Sequence, residues 1–182
     1  MKRNFLILPA IALLSSLAGA LLYNLLQPEK NTDRAADAAQ PIQLQAIPLV
    51  DLDEQQSVIG DWRANLLIVN FWAPWCAPCR REIPALIEVH EAYAEKGVRV
   101  LGLAFDNAPQ VIRFAAEFEI DYPLFLAGNR SAMYNAAFNN PSGSLPFTAL
   151  LDQDLRIIFR HNGEITPAQL REQLEKALEF SG

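Results

Sequence analysis

The run Leu66-Leu67-Ile68-Val69-Asn70-Phe71-Trp72 leads directly into Ala73-Pro74-Trp75-Cys76-Ala77-Pro78-Cys79, and no other stretch of the chain constrains the fold as tightly. A short apolar run without polar alternation reads as a strand buried on both faces, which needs layers of structure above and below it. From Cys79 to Lys96 the pattern becomes helical, with Leu86, Val89 and Tyr93 at inward spacing and Gly97 as the stop. A buried strand, a tight turn and a helix predict an α/β domain. The two cysteines, the only two in the chain, sit at that turn.

Cys76 then lies at or just before the first helical turn, where unpaired N–H groups and the helix dipole favour negative charge. Arg80 and Arg81 add positive potential nearby. The thiolate is the nucleophile in thiol–disulfide exchange, so Cys76 is the attacking thiol. Cys79 follows about one turn later, faces inward and serves as the resolving thiol. Pro78 has a fixed φ and no N–H, which suits a first helical turn. Three other uses of the pair compete with exchange. A zinc site would need both His90 and His161, and neither has finger-like spacing. The pair could also be an inert structural disulfide, or an accidental buried pair, against which flanking Trp72 and Trp75 argue as markers of a specific surface.

The segment Asn70-Phe71-Trp72-Ala73-Pro74-Trp75-Cys76-Ala77-Pro78-Cys79 resembles the active site of thioredoxin-like proteins, and more narrowly the TlpA/ResA/CcmG (DsbE) group of membrane-tethered thiol-disulfide oxidoreductases. The resemblance covers about residues 46–180. It implies a thioredoxin-like α/β fold: a central mixed sheet flanked by helices, with a helix–strand insertion before a cis-proline. Pro84, five residues after Cys79, matches a proline that kinks the active-site helix. Pro146, in Gly143-Ser144-Leu145-Pro146-Phe147-Thr148, matches the cis-proline beside the cysteines. The Leu145 backbone would then pair with substrate as a short added strand. The resemblance therefore implies substrate contact at Trp75, Leu145 and Pro146, with Trp72 and Pro78 shaping the site. Glu82, three residues after Cys79, falls where the group often has an acidic residue. Half-buried beside Ile83 and Leu86, it would exchange a proton with Cys79 at a raised pKa; the competing reading is a solvated helix glutamate. Two positions depart from the pattern. Thioredoxin has a buried Asp where this chain has Asn70, which cannot titrate. Arg63-Ala64-Asn65 stands where the group commonly has a Gly-Lys turn.

Net charge is −6 and the basic residues are scattered, which argues against nucleic-acid binding. At the N-terminus, Met1-Lys2-Arg3 precedes an uncharged stretch from Phe5 to Leu26, long enough to span a bilayer with Lys2 and Arg3 on the cytoplasmic side. Ala18-Gly19-Ala20 would suit a signal-peptidase site, but the apolar run continues beyond it. Residues 1–27 therefore read as a membrane anchor or a signal peptide, residues 28–45 as a flexible linker, and residues 46–182 as the thioredoxin-like domain. The anchor places that domain in the periplasm or an equivalent extracytoplasmic space, on a single-pass protein of the cytoplasmic membrane.

Along the domain, short strands or a hairpin are expected between Ile47 and Arg63, and a second buried strand at Val98–Phe105. A helix should start at Asp106-Asn107-Ala108-Pro109, with Val111, Ile112, Phe114, Ala115 and Phe118 inward. A strand at Tyr122–Leu126 and a helix at Ser131–Phe138 form the insertion. Phe147–Asp152 and Arg156–His161 read as an antiparallel pair, and Thr166–Phe180 as a closing helix capped by Thr166. His90 is expected on the solvated side of its helix and His161 exposed, neither catalytic. No metal cluster or phosphate loop is found, and the chemistry calls for no cofactor.

The function this predicts is thiol-disulfide oxidoreduction on disulfide-containing exported proteins. The resemblance favours a reductant, with apocytochrome c as a family substrate and a DsbD-like membrane protein as electron donor. An oxidant differs only in reduction potential. A peroxide-reducing enzyme would need an isolated cysteine with a nearby upstream threonine, which the chain lacks. A non-catalytic binding or chaperone module would keep the Leu145–Pro146 groove and dispense with the cysteines.

Overall fold

The computed structural model describes residues 44–179. The anchor or signal peptide at residues 1–27 and nearly all of the linker lie outside the described residues. Among those described, no helix is long and apolar enough to cross a membrane.

The chain first forms a hairpin, β1 (Pro48–Val50) and β2 (Gln56–Val58), in the region where short strands are expected. Asp51 closes its turn, its carboxylate accepting from the N–H groups of Asp53 and Gln55 at 2.9 and 2.8 Å. Then come β3 (Leu66–Trp72), α1 (Ala77–Tyr93), β4 (Val98–Ala104), α2 (Ala108–Glu117), β5 (Leu124–Leu126), α3 (Ser131–Ala137), β6 (Phe147–Asp152), β7 (Ile157–Asn162) and α4 (Pro167–Glu179). The main sheet has the order β5-β4-β3-β6-β7. β3 pairs in parallel with β4 and antiparallel with β6, β5 extends the parallel side, and β7 the antiparallel side. This is the mixed sheet that the resemblance implies, with β5 and α3 supplying the insertion.

β3 is central, and every one of its residues is buried. Its alternation sorts them between two cores. Leu66, Ile68 and Trp72 pack with Ile83, Leu86 and Val89 of α1, Phe114 of α2, and Leu170 and Leu174 of α4. Leu67, Val69 and Phe71 pack with Leu49 of the hairpin, Tyr134 of α3 and Phe138. Asn70 shares its face with Ile68 and Trp72, so its amide is forced into the helix-covered side of the sheet.

Helix ends follow the chemistry of their residues. Asn107 caps α2 by accepting from the Gln110 N–H at 3.2 Å. Thr166 and Gln169 form a reciprocal capping box on α4. α1 runs on through a 3-10 turn to Gly97, whose φ of 76° provides the left-handed stop. The inward stripe of α2 is narrower than expected. Val111 and Phe114 are buried and Ala115 and Phe118 half-buried, but Ile112 is 48% exposed. Val111 and Phe114 face the core around Trp72, and residue 112 lies off that face.

Candidate active site

β3 delivers Trp72 to the end of the sheet, and the next four residues turn into α1. Cys76 is the N-cap of that helix: its sulfur accepts from the Cys79 N–H at 3.3 Å. This is the position at which the expected dipole and N–H groups bear on the sulfur. Cys76 and Cys79 are joined as a disulfide, with sulfurs 2.04 Å apart. Cys79 is wholly buried and Cys76 nearly so, at 5% exposed, so Cys76 is the one of the pair that reaches the surface. Pro78 lies half-buried in the first turn.

The tryptophans part company. Trp75 is 69% exposed beside the disulfide, where the sequence anticipates a contact surface. Trp72, expected to mark that surface with it, is fully buried against Phe114, ring centroids 5.0 Å apart. Its place on β3 gives it to the core, where it supports the turn from beneath. A cleft of about 500 Å³ opens next to Trp75, lined by Pro74, Arg80, Asp106, Arg113, Phe114 and Glu117. Neither arginine of α1 is free to bias the sulfur strongly. Arg80 pairs with Glu117 at 3.3 Å and lies over the Phe114 and Phe118 rings, and Arg81 pairs with Glu164.

Leu145–Pro146 is a cis peptide, as the resemblance implies. β6 pairs with β3 up to Phe71–Phe147, so Pro146 stands one residue past the last pair, level with Trp72 and next to the turn that carries the cysteines. Its carbonyl accepts from the Gly163 N–H at 2.8 Å. The loop ahead of it is built on Asn140, 1% exposed. The Asn140 amide donates to Asn135 Oδ1 and the Ser144 carbonyl at 3.0 and 3.1 Å, and its Oδ1 accepts from Ser142, the Ser144 hydroxyl and the Ser144 N–H. Sequence reasoning missed this residue. The polar cluster Asn139-Asn140-Pro141-Ser142-Gly143-Ser144 announces a loop, but nothing in it shows which side chain turns inward.

Glu82 is more deeply placed than the half-buried position expected, at 1% exposed. It lies one turn after Cys79, on the same inward face of α1. Its Oε1 accepts from Asn70 Nδ2 at 2.7 Å and its Oε2 from the Ile165 N–H at 3.0 Å. Burial pushes its pKa up to about 7; those two hydrogen bonds hold it down and the Glu164 charge adds to the rise. The solvated reading of Glu82 is thereby excluded. Asn70, read from sequence only as a lost titrating group, is the partner of this carboxyl.

The histidines also differ from expectation. His90 is half-buried, its ring edge-on to Tyr122 at 6.0 Å, because the segment before β5 folds over this side of α1. His161 is half-buried too, Nε2 lying 3.1 Å from the Glu164 carbonyl. Among the described residues no group of His, Cys, Asp and Glu is placed to hold a metal ion.

A mixed sheet flanked by helices, with a dithiol pair at the N-terminus of the helix following its central strand, defines the class of thioredoxin-fold dithiol proteins. The Redoxin family model matches residues 31–178. Over 179 residues the chain is 28% identical to the thiol-disulfide oxidoreductase ResA of Bacillus cereus (strain ATCC 10987), covering 97% of this chain and 98% of the relative. With ResA of Geobacillus kaustophilus it shares 32% identity over 136 residues, 72% of this chain and 71% of that one. The crystal structure of a thioredoxin-related protein from Neisseria meningitidis serogroup B superposes with a TM-score of 0.64 at 27% identity, covering 72% of this chain and 98% of that one. The chain belongs to the Redoxin family, within its TlpA/ResA/CcmG group, and is a thiol-disulfide oxidoreductase.

Proposed function

We propose that this oxidoreductase works as a reductant of disulfides in exported proteins, tethered to the cytoplasmic membrane by residues 1–27 with its domain on the extracytoplasmic side. The observation that carries the reading is the pairing of an N-capping Cys76 with a buried Cys79 one turn ahead of a buried carboxyl whose pKa sits near neutrality. Apocytochrome c is the substrate class that the family resemblance favours, and a DsbD-like membrane dithiol the donor.

In this reading substrate docks on Trp75 and along the Leu145–Pro146 backbone. The Cys76 thiolate attacks one substrate sulfur and forms a mixed disulfide; the other substrate sulfur leaves and takes a proton. Cys79 is buried and must lose its proton before it can resolve that intermediate. The Glu82 carboxylate accepts the proton, which is general base catalysis by a group tuned to the working pH. The Cys79 thiolate attacks Cys76 Sγ and the second substrate thiolate departs. Two electrons have passed to the substrate, and the Cys76–Cys79 disulfide awaits its donor.

The test is the equilibrium reduction potential of the Cys76–Cys79 pair against a glutathione or dithiothreitol series. A value near or below roughly −220 mV agrees with a reductant, whereas one near roughly −120 mV overturns that direction and assigns an oxidant.

A further inference from the structure

The polar surroundings of Glu82 are unusually specific for a core site. Asn70 and Thr148 lie directly opposite each other in the β3–β6 register, and their side chains touch on the helix-covered face. Both are buried, at 0% and 1% exposed. Asn70 Nδ2 donates to Glu82 Oε1 at 2.7 Å and to Thr148 Oγ1 at 3.0 Å, which uses both of its hydrogens. Asn70 Oδ1 is buried with no partner.

This arrangement suits an ionised Glu82, which only accepts. It does not suit the protonated acid, whose O–H would face a donor on either oxygen, the Asn70 NH2 at Oε1 or the Ile165 N–H at Oε2. A 180° turn of the amide puts Oδ1 in place of Nδ2, within reach of both Glu82 and Thr148. The Thr148 hydroxyl can rotate from acceptor to donor, and Oδ1 then accepts from it and from the Glu82 O–H. The atom left over is the amide nitrogen in place of the oxygen that now lacks a partner.

We infer that Asn70, held by the Thr148 hydroxyl, is a positioning residue that serves both protonation states of Glu82, its amide turning as the carboxyl gains and loses the proton exchanged with Cys79. The inference rests on the proposed proton role of Glu82. It explains why an amide is used here: a second carboxylate would add charge to a site that already disfavours it. The other titratable groups around Glu82 are Cys79 and Arg81 on α1, Tyr122 before β5, His161 on β7 opposite Thr148, and Glu164 in the loop to α4.

The experiment is the pH profile of dithiothreitol oxidation by the disulfide form of the full chain, for wild type and for Glu82→Gln, Asn70→Leu, Thr148→Val and Thr148→Ser. Glu82→Gln identifies the transition that belongs to Glu82. In Asn70→Leu the carboxylate loses a short N–H donor while the acid loses the acceptor that the turned amide gives it; the charge-assisted bond is the stronger, so that transition is expected to move up by less than about one pH unit. In Thr148→Val the amide keeps its contact to Glu82, but one buried N–H is stranded in the ionised arrangement. The shift should be smaller and upward, and Thr148→Ser should reverse it. If Glu82→Gln leaves the profile unchanged, the proton role itself fails, and this inference with it. If Glu82→Gln removes the transition while Thr148→Val, with an unchanged melting temperature, leaves it in place, the proton role stands and the Asn70–Thr148 device is refuted. Should Asn70→Leu fail to fold, the Thr148 pair decides alone.

Discussion

Replacing Glu82 by Gln should stabilise the oxidised protein at neutral and alkaline pH while impairing exchange. In the folded state the carboxyl titrates near 7, against an ordinary value of 4.5, chiefly because burial penalises its charge. Between those two values the folded state binds more protons than the unfolded state, so stability falls as pH rises through the window and levels off above about 7. A difference of roughly 2.5 units corresponds to about 3 kcal/mol. Glutamine carries no charge to desolvate, and its Oε1 still accepts from the Ile165 N–H. Its amide nitrogen faces Asn70, whose unpartnered Oδ1 can turn to meet it. Urea unfolding of both proteins, oxidised so that the thiols do not titrate, should be carried out from pH 5 to 9. The gap between the two curves should widen in favour of the variant by about 2.5 kcal/mol between pH 5 and 9, the rest of the difference falling below pH 5. Other titrating groups cancel in that difference. Parallel curves would refute the reasoning, because they would mean that ionising Glu82 costs the fold nothing.

Three further outcomes follow from the geometry. Cys79→Ser should accumulate substrate covalently on Cys76, seen as reductant-sensitive adducts on non-reducing gels, and Cys76→Ser should accumulate none; the reverse pattern would invert the assigned roles. Gly102→Ala would bring a methyl to 2.5 Å from Leu124 Cδ2 and 3.0 Å from Trp72 Nε1 and Tyr122 Cε2, in a part of the core where Trp72 has no room to move. A loss of about 1–3 kcal/mol in urea unfolding is expected, and an unchanged midpoint would show that Leu124 alone absorbs the strain. Asn140→Ala removes the hub of the loop before Pro146. Reduction of a protein disulfide should fall by about tenfold or more while the reaction with dithiothreitol persists, since only the protein substrate uses the Leu145 backbone. Equal losses with both substrates would mean that the loop does not position the docking strand.

What could be read from the sequence was set by local chemistry. The β3 run, the dithiol turn, the α1 stripe, the α2 start at residues 106–109 and the capping residue Thr166 depend on neighbours within a few positions, and the structure places each of them as expected. The errors fall where a side chain's surroundings come from distant segments. His90 has polar neighbours in sequence and looks solvated, but Tyr122 is brought against it by the insertion. Ile112 has helical spacing for burial, yet it is left 48% exposed.

The site shows the same division in one residue pair. The position of Glu82 one turn beyond Cys79 is a property of the helix, but its depth depends on three remote contributions: Asn70 from β3, Thr148 beside it from β6, and the Ile165 N–H from the loop before α4. A carboxyl closed in from three directions cannot be recognised from the helix alone, and the same closure is what moves its pKa toward neutrality. Sequence therefore locates the thiols and offers Glu82 as a candidate, whereas the depth of that acid and its partners become visible only when β3, β6 and the loop before α4 converge. The proton chemistry of the exchange should accordingly be more sensitive than the thiol pair itself to substitutions far away in the chain, with Thr148, 66 residues beyond Glu82, as the place where that sensitivity can be measured.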